Sequence, residues 1–161
     1  MVRTAFLSLT VWTCLPWVVF WAWRQERRIL KSGRKLAEDE TERARRAGVH
    51  QPENIRVLTV DHVPLPGPGW MHRVAARLGF DGSQTAGMAL RYGIFVRRGY
   101  EDDPELLMHE CCHTGQYERK GSITAFMCDY LRQCLRDGYF AAAFEQEARA
   151  ATVREFSAGE C

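Results

Sequence analysis

The chain has 161 residues, with 22 Lys and Arg against 20 Asp and Glu and 46% hydrophobic residues, enough for one core of ordinary size and too little for two full domains. Aromatics at 11% and charged residues at 26% exclude a disordered or low-complexity chain, and no repeat period points to a solenoid. The net charge of +2 is unevenly spread: residues 24–48 carry nine basic and five acidic side chains, residues 49–161 twelve and fifteen, so the globular part is mildly acidic and no nucleic-acid partner is expected.

From Ala5 to Trp23, nineteen residues carry no charge. As a helix they span roughly 28 Å, close to the thickness of a bilayer's hydrocarbon core, and the tryptophans near the C-terminal end suit a membrane interface. The segment therefore predicts a transmembrane anchor over residues 1–23, with the membrane contacted through residues 5–23. A cleaved signal peptide and a buried soluble helix are the weaker readings, because the apolar run is long and no small-residue cleavage site follows. Arg24, Arg27, Arg28, Lys31, Arg34 and Lys35 come next, which by the positive-inside rule keeps the C-terminal side in the cytoplasm. Residues 24–48 read as a charged juxtamembrane helix or linker, and 49–161 as the globular domain. The six cysteines do not form a disulfide framework: Cys14 lies in the apolar run, Cys111 and Cys112 are adjacent, and Cys161 ends the chain, so reduced thiols are expected.

Residues 55–60 alternate and are rich in β-branched side chains, which predicts a strand. The prolines and glycines of 64–69 end it. A short helix over 70–78, stopping at Gly79, precedes a second strand over 87–97, in which Met88, Leu90, Tyr92, Ile94 and Val96 share one side and Gly93 permits a bulge. Asp102 or Asp103 as N-cap, Pro104 in the first turn and Gly121 as the stop predict a helix from Pro104 to about Arg119. A second helix over 122–137 ends at Gly138, and a third begins near Ala141. Strands first and helices afterward imply an α+β domain.

His109-Glu110-Cys111-Cys112-His113 has the form H-E-x-x-H and falls on the first of these helices. Residues four apart on a helix differ by about 40° in direction and about 6 Å in height, so both imidazoles reach one ion. Glu110 is turned roughly 80° from their mean direction, which sets its carboxylate beside the ion rather than on it, where a base stands to take a proton from water. One zinc ion there would lower that water's pKa to about 7 and polarise a carbonyl oxygen. Catalytic zinc takes three protein ligands. If the three helices pack up, down and up, the first and third run parallel, and Glu145 and Glu147 then lie at about the height of His109. They flank the Phe144, Ala148 and Ala151 face symmetrically, so helical geometry leaves both open as third ligand. Cys112 is a rival thiolate ligand, and Tyr139 and Tyr117 are candidates for oxyanion or substrate contacts.

HECCHTGQYERKGS, followed by a helix and then GYFAAAFEQEA, resembles the zincin metallopeptidases with a glutamate third ligand, and more closely small bacterial proteins of the pattern H-E-x-x-H-x-x-Q-Y. The likeness covers about residues 50–150. It implies a zincin-like α+β fold, a small sheet followed by a helical part carrying H-E-x-x-H, here preceded by the transmembrane helix of a single-pass bacterial inner-membrane protein. It also implies a peptide or protein substrate, which would pair with strand 87–97 at the upper edge of the cleft. Glu145, three residues before Ala148, maps onto the family's ligand glutamate. Arg149 departs from the pattern, which has an aspartate after that alanine. The resulting expectation is a membrane-anchored zinc metallopeptidase in which His109, His113 and Glu145 hold the ion and Glu110 is general base. The alternatives are a non-catalytic module stabilised by zinc on His109, His113 and two of Cys112, Cys128 and Cys134, or a metal-free interaction module.

Overall fold

In the computed structural model, residues 2–77 and 85–157 are described. In chain order they form α1 (Val2–Ser32), β1 (Arg34–Lys35), α2 (Glu38–Arg46), a 3-10 turn (Pro52–Asn54), β2 (Arg56–Val60), α3 (Gly69–Arg77), β3 (Gly87–Leu90), β4 (Gly93–Arg97), α4 (Pro104–Lys120), α5 (Ile123–Asp137), a second 3-10 turn (Tyr139–Ala141) and α6 (Ala143–Ser157). The four strands make one sheet in the order β1-β2-β4-β3. β2 and β4 are parallel, and both edge pairings are antiparallel.

The single strand expected over 87–97 is a hairpin. Arg91 sits at φ 59°, so the chain reverses at Arg91-Tyr92, and Met88 comes opposite Phe95 while Ala89 comes opposite Ile94. Residues paired across a ladder share a face. Met88, Leu90 and Phe95 therefore pack on the side of α1 and α5, whereas Ala89, Ile94 and Val96 pack on the side of α2, α4 and α6. The continuous apolar run Ile94-Phe95-Val96 reflects a strand buried on both faces, the usual condition of a central strand with helices on either side.

α4 begins and ends on the signals in its sequence. Asp103 is the N-cap, its carboxylate accepting from the backbone N–H of Glu105 and Leu106 at 3.0 Å each. Gly121 closes the helix at φ 76°, a left-handed turn that favours glycine. Between them almost everything from Leu107 to Tyr117 is buried, so the helix runs through the middle of the molecule. Thr114 Oγ1 donates to Arg91 O at 2.8 Å, tying α4 to the hairpin turn. α5 opens on Ser122, whose hydroxyl accepts from the Ala125 N–H at 3.1 Å. The expected end of α3 at Gly79 lies outside the described residues.

The N-terminal segment departs most from expectation. Among the described residues, no helix is long and apolar enough to cross a membrane. The transmembrane anchor, the membrane partner at residues 5–23 and the single-pass inner-membrane location are therefore overturned. Freedom from charge was the misleading signal: the run also holds Ser8, Thr10, Thr13 and Pro16, and a bilayer-spanning helix is apolar all round. α1 instead lays one face on its own protein. Leu15, Ala22, Glu26 and Ile29 are buried along that face, against β4 and α5. Trp17, Phe20 and Trp23 pack on one another on the outer side, with the Arg27 guanidinium over the Trp23 ring. Of the basic residues that suggested sidedness, Arg34 grips Glu40 through two hydrogen bonds of 2.6 and 2.8 Å.

The α1–sheet contact depends on Gly93, because a Cβ there would lie 2.9 Å from Ile29 Cδ1 and 3.0 Å from its Cβ. Gly93→Val should thus lower stability by about 1–3 kcal/mol through overpacking, read as a lower denaturant midpoint at unchanged slope.

Candidate metal centre

Three side chains from two helices converge at the middle of α4. His109 and His113 stand one turn apart, with their Nε2 atoms 3.2 Å from each other. Glu145, in the first turn of α6, places Oε2 3.4 Å from His109 Nε2 and Oε1 3.2 Å from His113 Nε2. Ligand atoms of all three lie within 4.8 Å of one another, a cluster that could hold a metal ion. The route by which Glu145 arrives differs from the expected one. α6 starts at Ala143, so Glu145 is its third residue whereas His109 is the sixth of α4, and the two meet through helix contact rather than at equal heights.

Glu147, left equivalent to Glu145 by helical geometry, faces away. It pairs with Arg119 and accepts from Gln116 Nε2 at 3.1 Å, and its side chain is 43% exposed against 1% for Glu145. The cysteines do not join the cluster: among the described residues it contains only His109, His113 and Glu145. Cys14, Cys111, Cys112, Cys128 and Cys134 are free thiols, and burial pushes the Cys112 thiol up to about 11, far from a ready thiolate. Cys161 lies outside the described residues.

The surroundings orient all three groups. Gln116 donates through Nε2 to Phe144 O at 2.9 Å, so its Oε1, 2.8 Å from His113 Nδ1, accepts a hydrogen from that nitrogen. In the neutral ring this leaves the lone pair on Nε2, facing the cluster. Tyr130 donates its hydroxyl to Glu145 Oε1 at 2.6 Å. Glu145 Oε2 is buried and has no hydrogen-bond partner; Arg149 is the nearest permanent cation, at 3.5 Å. Burial works against the Glu145 charge, but His109, His113 and Tyr130 together hold its pKa well below the usual carboxylate range. Burial likewise opposes charge on His113, yet its hydrogen bond to Glu145 and the carboxylates of Glu110 and Glu145 raise its pKa to about 9.

Glu110 stands beside the cluster, 5% exposed. Burial raises its pKa, opposed by the two histidines and by a hydrogen bond from the Ala89 backbone. That contact brings it against the edge strand β3, where Gly87 makes room: a Cβ on Gly87 would come within 2.7 Å of Glu110 Oε1. The tyrosines separate in role. Tyr117 is buried and stacked on Phe126 with ring centroids 3.7 Å apart, a packing position. Tyr139 lines the cavity in front of the cluster, and its hydroxyl interacts with Glu145.

Sequence reasoning missed Gln116, Tyr130 and Gly87. Gln116 had a usable signal, since a polar residue three after a ligand histidine lies on the same helix face. Tyr130 and Gly87 reach the site only through tertiary packing. Comparison of the chain with protein-family models, curated proteins and solved structures returns no match.

A proton on His113 competes with any ion. Affinity of the ion-free protein for a divalent metal should rise with pH, by up to about tenfold per unit, and level off above the His113 pKa of about 9. Competition with a chromophoric chelator measures this.

Proposed function

We propose that this protein is a zinc-dependent hydrolase, most simply a metallopeptidase, with His109, His113 and Glu145 as ligands and Glu110 as general base. The observation that carries the reading is a spacing. Ligand atoms at about 2.0–2.1 Å from a tetrahedral zinc lie about 3.3 Å from one another; here the two imidazole nitrogens are 3.2 Å apart, and Glu145 presents one oxygen to each, Oε2 at 3.4 Å from His109 and Oε1 at 3.2 Å from His113. The buried Glu145 Oε2, which has no hydrogen-bond partner and meets Arg149 only at 3.5 Å, adds support, because a carboxylate oxygen held in the interior calls for a close cation. Two imidazoles and one carboxylate are a donor set that suits zinc.

Zinc, when bound, supplies a Lewis acid for a substrate carbonyl and promotes ionisation of water. The chain's own groups supply the rest. Glu110, excluded from bulk solvent and raised in pKa, is suited to accept a proton from the attacking water and hold it on its carboxylate. As the C–N bond breaks, it delivers that proton to the leaving amine. Gln116 and Tyr130 keep His113 and Glu145 in register, so the ligands need no reorganisation. Tyr139 and Arg149 border the same cavity as hydrogen-bond donors to a developing oxyanion.

A purely structural zinc site is closed by four protein ligands. Here three face a cavity of about 820 Å3 that Glu110 also lines, which favours the catalytic reading over a zinc-stabilised module. Glu110→Gln should retain stoichiometric zinc and lose about 10²–10⁴-fold in peptide hydrolysis. Glu145→Gln should lose the metal, while Glu147→Gln should keep it. Metal content by mass spectrometry alongside a peptide-cleavage assay separates these outcomes, and full activity in zinc-replete Glu110→Gln would refute the assignment.

A further inference from the structure

The cavity in front of the cluster is divided by chemistry. Every charged side chain on its lining comes from residues 103–113 and 145–149, the stretches that carry the candidate metal centre. A second part of the lining is built by α1 and α5, which pack on each other: Cys14, Val18 and Trp21 at successive turns of α1, and Phe126, Met127 and Leu131 of α5. No charge enters that wall among the described residues. The Tyr130 hydroxyl there is engaged with Glu145. A group lodged against this wall would leave water for an apolar surface and find no partner for a charge of its own.

We infer that the site selects substrates carrying a bulky uncharged side chain, aromatic or long aliphatic, beside the scissile bond, and that α1 is the specificity-determining wall. The inference rests on the hydrolase reading and adds to it the class of residue recognised. α1 lies outside the stretch of chain that carries the metal ligands. It is held in place by burial of Leu15, Ala22 and Ile29, so the chamber is a fixed feature. Burying one large apolar side chain favours binding by about tenfold or more over a charged one.

Two measurements on the full chain test it. In the first, calorimetric titration of the metal-free protein uses N-acetyl-Phe-Leu-amide and N-acetyl-Asp-Ser-amide as probes. The apolar probe should bind at least about tenfold tighter, and Val18→Trp, which fills the chamber, should abolish the difference. In the second, the zinc-loaded protein is given matched blocked hexapeptides with Phe or Asp beside the cleaved bond. The Phe:Asp ratio of kcat/KM should be large in the wild type and collapse in Val18→Trp. In Met127→Ala, which widens the α5 part of the lining, preference should shift from Phe- toward Trp-containing peptides; this second variant keeps the test decisive if Val18→Trp does not fold. Equal binding of the two probes, or a ratio that neither substitution moves, overturns the inference. Cleavage without preference rejects the chamber and leaves the hydrolase reading standing, whereas selective binding without cleavage does the reverse.

Discussion

Two imidazole nitrogens 3.2 Å apart, and a carboxylate whose two oxygens lie 3.4 and 3.2 Å from them, are held together in the interior. Without something positive among them, such a cluster repels itself and lacks the solvent that would screen it. In the ion-free protein the compensation is protonic, which is why His113 holds its proton so firmly. A divalent cation does the same with both charges at once. Much of the surrounding structure serves this constraint. The depth of α4, the glutamine behind one ring and the tyrosine on the carboxylate all restrict where the three atoms go. Glu110 stays out of the cluster because the edge strand, through Gly87 and Ala89, gives its carboxylate a separate place to rest.

The helical half of this arrangement was legible in the sequence because helices carry their own punctuation. Asp103, Pro104 and Gly121 bound α4 by local backbone chemistry, Ser122 and Gly138 do the same for α5, and the spacing of His109 and His113 needs nothing but the helix itself. The sheet was less legible. Residues 87–97 alternate all the way through, and nothing in that alternation marks the reversal at Arg91, since arginine rarely takes a positive φ. The choice between Glu145 and Glu147 was a tertiary question. Both lie on the flank of one face, and only the crossing of α6 over α4, with Arg119 drawing Glu147 outward, separates them.

The N-terminal helix shows why a count of uncharged residues is an ambiguous signal. A stretch rich in Trp, Val and Phe can serve a bilayer or a protein interior equally well in a one-dimensional reading. The arbiter here is the partner surface. β4 has two buried faces and needs a second layer, and α1 provides it, bringing the acidic Glu26 inside as well. The Glu26 carboxylate lies 3.4 Å from the Tyr92 backbone nitrogen, so even this charged residue is turned inward, toward the hairpin that leads into β4.

Because α1 rests on β4 and α5, it has no surface to settle on until those later segments have emerged. Loop closure over such a separation is slow compared with forming a local helix. Residues 109 and 113 can find each other within one turn, but the α1 part of the cavity lining is placed only by contacts distant in sequence. A pair of imidazoles one turn apart can therefore form before the enclosed chamber does, and the chamber waits on the docking of a helix distant in sequence.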